Sequence, residues 1–416
     1  MDRLRRGTYN LIVICGLLFV WTASVQAEEP IVVQVNENQF AFGHQIHFSL
    51  QVSSGAPLQS IVLAYRTSDT QGTTIQTIPF DPALEVSVVH VHDIEQRYIR
   101  PFVEVTYWWT ILDAAGNKLI TDPQSFSYSD NRFSWQTQNR APVTMHWYNG
   151  DAQIAAQALD LTAQAIERAR QDIDPKASLQ PIDIYLYANV DDLRLALPSG
   201  QSYNVEALTL YETSVILVPY GPQPNHIPDL ERILPHEVTH ALIHQVTEND
   251  FDRVPRWLSE GLATSVEYVT APNPDAHTLI EQALREDRLL DLNVLCAEFP
   301  RDLAEARIAY AQSASLVNYI RDIYGRQTLQ DLFAAYADGA SCEGGTQRAL
   351  GFSLDRLEAL WQESLMPRSG LALFWQANGA WIVLFGILAG VPLILVGRTL
   401  LHARTSPSDR EEPSLR

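Results

Sequence analysis

His236 and His240 stand four positions apart with Glu237 between them, in the run His236-Glu237-Val238-Thr239-His240. Two imidazoles at that spacing can reach one cation only if the segment is an α-helix, where residues four apart stack on one face. The requirement fixes a helix in the middle of the chain and makes one face of it polar. A second segment, Trp257-Leu258-Ser259-Glu260-Gly261-Leu262-Ala263, puts Glu260 twenty positions after His240. A catalytic zinc takes three protein ligands and keeps one position open for water or substrate. His236, His240 and Glu260 make such a set, with Glu237 beside the open position.

The pairing of HEVTH with WLSEGLA at this spacing resembles the gluzincins, the group that includes thermolysin and the neutral aminopeptidases, and most closely their peptidase MA-like branch. The resemblance covers about residues 140–366. It extends through Tyr310-Ala311-Gln312-Ser313-Ala314-Ser315-Leu316-Val317, then Tyr324-Gly325, and Leu350-Gly351-Phe352-Ser353-Leu354 ahead of Trp361. It implies a zincin-like, mostly helical catalytic domain that hydrolyses peptide bonds, with Zn2+ as cofactor and a peptide or protein as substrate. In that chemistry zinc acidifies water and polarises the scissile carbonyl, while Glu237 takes a proton as general base and later returns it to the leaving amine. Neutral aminopeptidases aim a downstream tyrosine at the developing oxyanion, and Tyr310, fifty positions past Glu260, holds that place here. Tyr324 is the second candidate, although Tyr324-Gly325 also reads as a helix stop.

Further expectations follow from the same resemblance. Where thermolysin supports its metal histidines with an aspartate one turn beyond the third ligand, this chain has Thr264, with Glu267 a further turn along. Gluzincins hold extended substrate against an edge strand before the metal helix, which points to Ser214 to Pro219. The Gly-Ala-Met-Glu-Asn run with which neutral aminopeptidases hold a substrate amino terminus is missing, which weighs against exopeptidase action. A different reading of these motifs is a cell-surface binding protein on a catalytically inactive, peptidase-like fold.

Other residues near the motif read more plainly. His244, one turn past His240, would close the site if it were a fourth ligand, so it reads as packing or support. Pro235 lacks an amide hydrogen and would kink a helix begun at Asp229, unless the metal helix starts near Pro235 itself. His44, His47, His90 and His92 lie in β segments and read as surface or packing residues. Cys296 and Cys342 are available for a disulfide in an oxidising compartment, a pairing that depends on a Cα separation the sequence does not encode.

Period-two alternation runs from Ile31 to about Trp135 and predicts strands at Ile31–Val35, Gln45–Val52, Ser60–Arg66, Thr73–Ile78, Glu85–His90, Phe102–Leu112 and Lys118–Tyr128. Seven short strands suggest an immunoglobulin-like β-sandwich over residues 28–135, with a hairpin turn at Asp113–Asn117. A polar linker, Asp130–Pro142, then leads into the catalytic domain, residues 140–366. Helices are expected at Ala152–Asp172, Val190–Leu197, His236–Val246, Trp257–Val269, Thr278–Leu290, Leu303–Tyr324, Leu329–Ala337 and Ser353–Leu365. The fold class expected is α+β.

The ends of the chain point to a membrane. Arg3, Arg5 and Arg6 precede the apolar run Leu11–Trp21, and Val25-Gln26-Ala27 suits a signal peptidase, so residues 1–27 read as a signal peptide. No charge interrupts Gly370–Gly397, and residues 377–397 read as a single transmembrane helix contacting the lipid bilayer. Arg398, His402 and Arg404 follow at once, which puts residues 398–416 in the cytoplasm as a disordered tail and the N-terminal domains outside the cell membrane. The formal charge of −20 argues against nucleic acid as a partner, since phosphate binding needs a basic surface.

Overall fold

The computed structural model describes residues 30–197, 207–221, 227–247, 253–267, 274–366, 378–388, 390–391 and 394. The expected signal peptide and cytoplasmic tail lie outside the described residues, as does part of the expected transmembrane helix. Residues 378–388 are helical, and among the described residues no helix is long and apolar enough to cross a membrane. Strands dominate the N-terminal part and helices the C-terminal part.

The chain divides into two compact units. One gathers the described residues of 1–138, 146–150 and 183–222, and the other those of 139–145, 151–182 and 223–416. The first crossing falls close to the expected boundary, but residues 183–222, read from sequence as catalytic domain, cluster with the β-rich unit.

In the β-rich unit, β1 (Val32–Ala41), β2 (Gln45–Ser53) and β5 (Glu85–Asp93) form one antiparallel sheet in the order β1-β2-β5. A second sheet has the order β4-β3-β6-β7, from β3 (Leu58–Thr67), β4 (Thr74–Thr77), β6 (Val103–Asp113) and β7 (Lys118–Ile120), with β8 (Gln124–Tyr128) also on β6. The sequence expected one strand from Lys118 to Tyr128. It is instead two, because Ile120 and Tyr107 mark the ends of separate registers along β6. Alternation has its expected consequence: Phe48 and Leu50 of β2, Leu63 and Tyr65 of β3, and Val105, Tyr107 and Trp109 of β6 turn inward and share one core. The hairpin after β6 is tied by Asp113, whose carboxylate accepts from the amides of Ala115 and Asn117 and from Ser54 Oγ, while Gly116 takes a φ of 92°.

The expected linker is not unstructured. Asp130 is almost fully buried, pairs with Arg132 and accepts a hydrogen bond from Tyr187 Oη at 3.0 Å. β9 (Gln136–Arg140) follows it, and all five of its residues are exposed, which is why its composition reads as linker. With β10 (Val143–Trp147), β11 (Ile182–Tyr187), β12 (Leu208–Leu210) and β13 (Val215–Pro219) it completes a sheet of order β12-β13-β11-β10-β9. β13 runs parallel to β11 and antiparallel to β12. The segment proposed by resemblance as a substrate-pairing edge therefore has neighbours on both sides over Val215–Leu217, and β12 is the strand at that end of the sheet.

α1 (Ala152–Ile173) is capped by Asp151, and its face of Ala155, Ala158, Leu159, Thr162, Ala165 and Ile166 is buried. The short α2 (Val190–Arg194) is capped by Asn189. α3 (Ile227–Val246) carries the histidines and packs along α1. It does not begin at Pro235: the helix runs through the proline, whose carbonyl accepts a 2.7 Å bond from Thr239 Oγ1. α4 (Arg256–Ser265) buries seven consecutive residues, Trp257 to Ala263, and packs along α7 (Leu303–Tyr324). Between them lie α5 (Pro274–Arg285) and α6 (Leu292–Leu295). α8 (Arg326–Ala337), α9 (Cys342–Leu350) and α10 (Leu354–Leu365) follow, α7 stopping at Gly325 with φ 89° and α10 being capped by Ser353.

Cys296, just past α6, is bonded to Cys342 at the start of α9, with a Cα separation of 6.1 Å. The pairing left open by the sequence is thus made, across 46 positions. Loop closure of that length restrains the unfolded chain by about 3–4 kcal/mol. Cys342→Ser is expected to lower the melting temperature by roughly 6–15 °C in calorimetry, without loss of helical circular dichroism at room temperature.

Candidate metal centre

Three donor atoms converge from two helices. His236 Nε2 and His240 Nε2 are 3.1 Å apart, and Glu260 Oε2 lies 3.5 Å from the first and 3.3 Å from the second. A tetrahedral ion with bonds of about 2.0–2.1 Å places its ligand atoms about 3.3 Å from one another. The triangle has that size, its donors are two nitrogens and one carboxylate oxygen, and among the described residues it is the one group of three or more such side chains able to hold a metal. The set fits zinc in both number and kind.

Each donor is oriented by a second contact. His236 Nδ1 donates to Glu267 Oε1 at 2.8 Å, and a carboxylate can only accept, so the lone pair of the neutral ring is directed from Nε2. His240 Nδ1 stands 3.1 Å from Ser259 Oγ, a contact that orients the ring, the hydroxyl being able to accept from Nδ1–H when Nε2 carries the lone pair. Glu260 is turned so that Oε2 faces the histidines and Oε1 meets Arg256 Nη2 at 3.1 Å. The sequence offered Thr264 and Glu267 as supports. Glu267 fills the role, and Thr264 Oγ1 is buried without a hydrogen-bond partner. Ser259 and Arg256 went unread, although the first adjoins the third ligand and the second lies one helical turn before it.

Electrostatics agree with a site for positive charge. Burial disfavours the imidazolium of His236, but the carboxylates of Glu260, Glu267 and Glu237 outweigh it and raise its pKa to about 10. Burial likewise opposes ionisation of Glu260, yet the two histidines hold its carboxyl well below the usual range. Glu237, beside His236 on α3, is partly exposed. His244 is buried and outside the converging group, as expected of packing. In the β-rich unit His92 is bonded to Tyr65 Oη and the Arg97 carbonyl, both at 2.8 Å, a structural arrangement.

Tyr310 is brought to this site by α7. Its ring centroid lies 6.3 Å from that of His236 and 5.0 Å from that of Phe299. Burial, and then the nearby Glu260, push its pKa to about 12. Tyr324 packs instead with Tyr319 and Phe352, fourteen residues and thus about 21 Å further along the helix. The approach of α7 depends on Gly261. A Cβ at that position would stand 2.5 Å from the Ser313 carbonyl oxygen and 2.9 Å from Val317 Cγ2, so no larger residue fits between the helices.

Two histidines on one helix and a glutamate on the next thus form a group that could hold a metal ion, and the family comparison points to peptidases. Residues 162–367 match the family model described as Peptidase MA superfamily, which supports a gluzincin-like peptidase clan for this part of the chain. An uncharacterized protein of Bacillus subtilis (strain 168), YhcO, is 29% identical over 133 residues, covering 31% of this chain and 39% of that protein, so the chain spans about two fifths of its relative's length. Among solved structures, catalytically inactive OgpA of Akkermansia muciniphila with an O-glycopeptide substrate is 12% identical, covers 25% of this chain and 30% of its own, and superposes with a TM-score of 0.19. A polysaccharide deacetylase of Bacillus cereus is 14% identical, covers 40% of this chain and 55% of its own, and has a TM-score of 0.17. Scores that low carry no argument about fold or activity.

Glu267→Ala and Ser259→Ala are each expected to weaken metal binding about 10–100-fold in competition with a chromophoric chelator, and Thr264→Ala to leave it unchanged. Gly261→Ala should cost about 2–3 kcal/mol in denaturant unfolding, because the backbone of α7 must give way.

Proposed function

We propose that this chain is a zinc-dependent metallopeptidase, exported and held at the cell membrane by one C-terminal span. The observation that carries the reading is the triangle of 3.1, 3.3 and 3.5 Å among His236 Nε2, His240 Nε2 and Glu260 Oε2. Those three residues would hold the ion. Zinc in such a site supplies Lewis acidity, acidifying water and polarising a carbonyl.

The chain's own groups do the rest. Glu237 is the general base: it follows His236 directly on α3 and retains exposure, so its carboxylate can take a proton from water and return it to the leaving amine. Tyr310, with a pKa of about 12, stays protonated across the working range and donates its hydroxyl to the oxyanion that develops on the scissile carbonyl. The half-buried ring of Phe299 packs edge-on against Tyr310, at 5.0 Å between centroids, and helps to hold its ring in place. Peptide or protein is the substrate class. The loop from Pro219 to Pro228 and the β-rich unit are where substrate choice would reside; residues 222–226 of that loop lie outside the described residues.

Membrane attachment rests on the uncharged Gly370–Gly397 and the basic residues after it. The disulfide between Cys296 and Cys342 supports an oxidising compartment for the helical unit.

The test uses the full chain purified in detergent. Wild type and Glu237→Gln are expected to carry about one zinc per chain and His240→Ala almost none, with Glu237→Gln losing about 10²–10⁴ in kcat on a peptide library. Tyr310→Phe should lose about 10²–10³ in kcat with little change in KM. Zinc bound without cleavage of any peptide would favour the inactive binding protein, and no zinc in folded chain would end the metallopeptidase reading.

A further inference from the structure

Arg256 is the first residue of α4, one turn before Glu260. A cation there sits at the positive end of the helix dipole, and an arginine N-terminal to its glutamate is the weaker order for an i,i+4 pair. Local helix energetics therefore do not account for the residue. Its contacts do. Nη2 is 3.1 Å from Glu260 Oε1, while Glu260 Oε2 is the oxygen that faces the two histidines at 3.5 and 3.3 Å. One carboxylate has been given two different partners, one for each oxygen.

The arginine is itself held in place. Its amide donates to the Cys296 carbonyl at 3.0 Å, and its guanidinium carbon lies 5.9 Å from the centroid of Phe299. The Glu260 side chain is 6% exposed against 43% for Arg256, so water has little access to replace the guanidinium at the carboxylate. This is not the exposed helix pair whose contribution is a few tenths of a kcal/mol.

We propose that Arg256 is a positioning residue that confines Glu260 to ligation through a single oxygen. The proposal rests on the metallopeptidase reading above. A carboxylate that binds through both oxygens fills an additional coordination position; one whose second oxygen is engaged by a guanidinium cannot, and the position needed by water or substrate stays open. The same hydrogen bond draws charge away from Glu260, which leaves the ion a stronger Lewis acid. Removing the arginine lets Oε1 turn to the metal: the ion is held at least as tightly, and worse used.

The experiment loads the full chain in detergent with cobalt(II) alone and reads its visible absorption, which is several-fold more intense for four ligands than for five or six. Wild type is expected to give the intense spectrum. Arg256→Ala should bind one cobalt with undiminished affinity, lose most of the absorption, and lose about 10–100-fold in kcat with KM nearly constant. Arg256→Lys, which restores a cation with a donor, should recover most of both signals. An Arg256→Ala spectrum identical to wild type would overturn the proposal, as would an effect confined to KM, the mark of a substrate-anchoring group, or loss of cobalt from a folded variant. If Arg256→Ala does not fold, Arg256→Gln takes its place, and a wild-type spectrum there is equally decisive against it. Failure of the wild type to take up cobalt would remove the metal centre itself, a result distinct from any difference among the variants.

Discussion

Three donors from two helices share a space about 3.3 Å across, and neither helix can keep them there alone. The arrangement depends on α4. It supplies Glu260, and with Glu267, two residues past its end, it supplies a partner for every ligand: Ser259 to His240, Glu267 to His236, Arg256 to Glu260 itself. The histidines of α3 are thus set against a template that one short, buried helix presents. α4 is in turn located by contacts at two points. Gly261 lets its backbone lie against Ser313 and Val317 of α7, and the Cys296 carbonyl holds its first amide.

How far this could be read from the chain depends on whether a feature is periodic. Histidines four apart and a glutamate followed by glycine are helical-spacing statements, and they led directly to the converging group. The supports were harder. Glu267 lies past the last regular turn of α4, which ends at Ser265, so counting helical offsets from Glu260 cannot choose it over Thr264. Ser259 neighbours the ligand rather than lying a turn away, so its side chain points at a different angle from the axis and reaches a partner that only the packing of α3 reveals. Arg256 did leave a signal, a cation where the helix dipole disfavours one.

The same distinction holds for the fold. β2, β5 and β6 bury alternate residues and were legible from that alternation. β9 buries nothing, and its polar residues are indistinguishable from a linker until their hydrogen-bonded neighbour is known. α9 contains Gly344 and Gly345, poor helix formers, and was missed; it exists because Tyr336 packs where a Cβ of residue 345 would stand, 2.1 Å from Cε1, and because Ser341 caps it. Tertiary packing decides such elements, and no window of sequence contains it.

Ligands drawn from α3 and α4 have a consequence for how the helical unit folds. In the unfolded chain His240 and Glu260 are separated by nineteen residues of freely moving backbone, so an ion gains its third donor only after α4 has docked. Metal binding and docking are then two faces of one equilibrium, and whatever affinity the site has for its ion is added to the stability of the folded state. Acid would act on the same equilibrium: protonating the ligand imidazoles would release an ion and its contribution to docking together. If the site takes up a metal, the supply of that ion where the chain folds would bear directly on how well α4 docks.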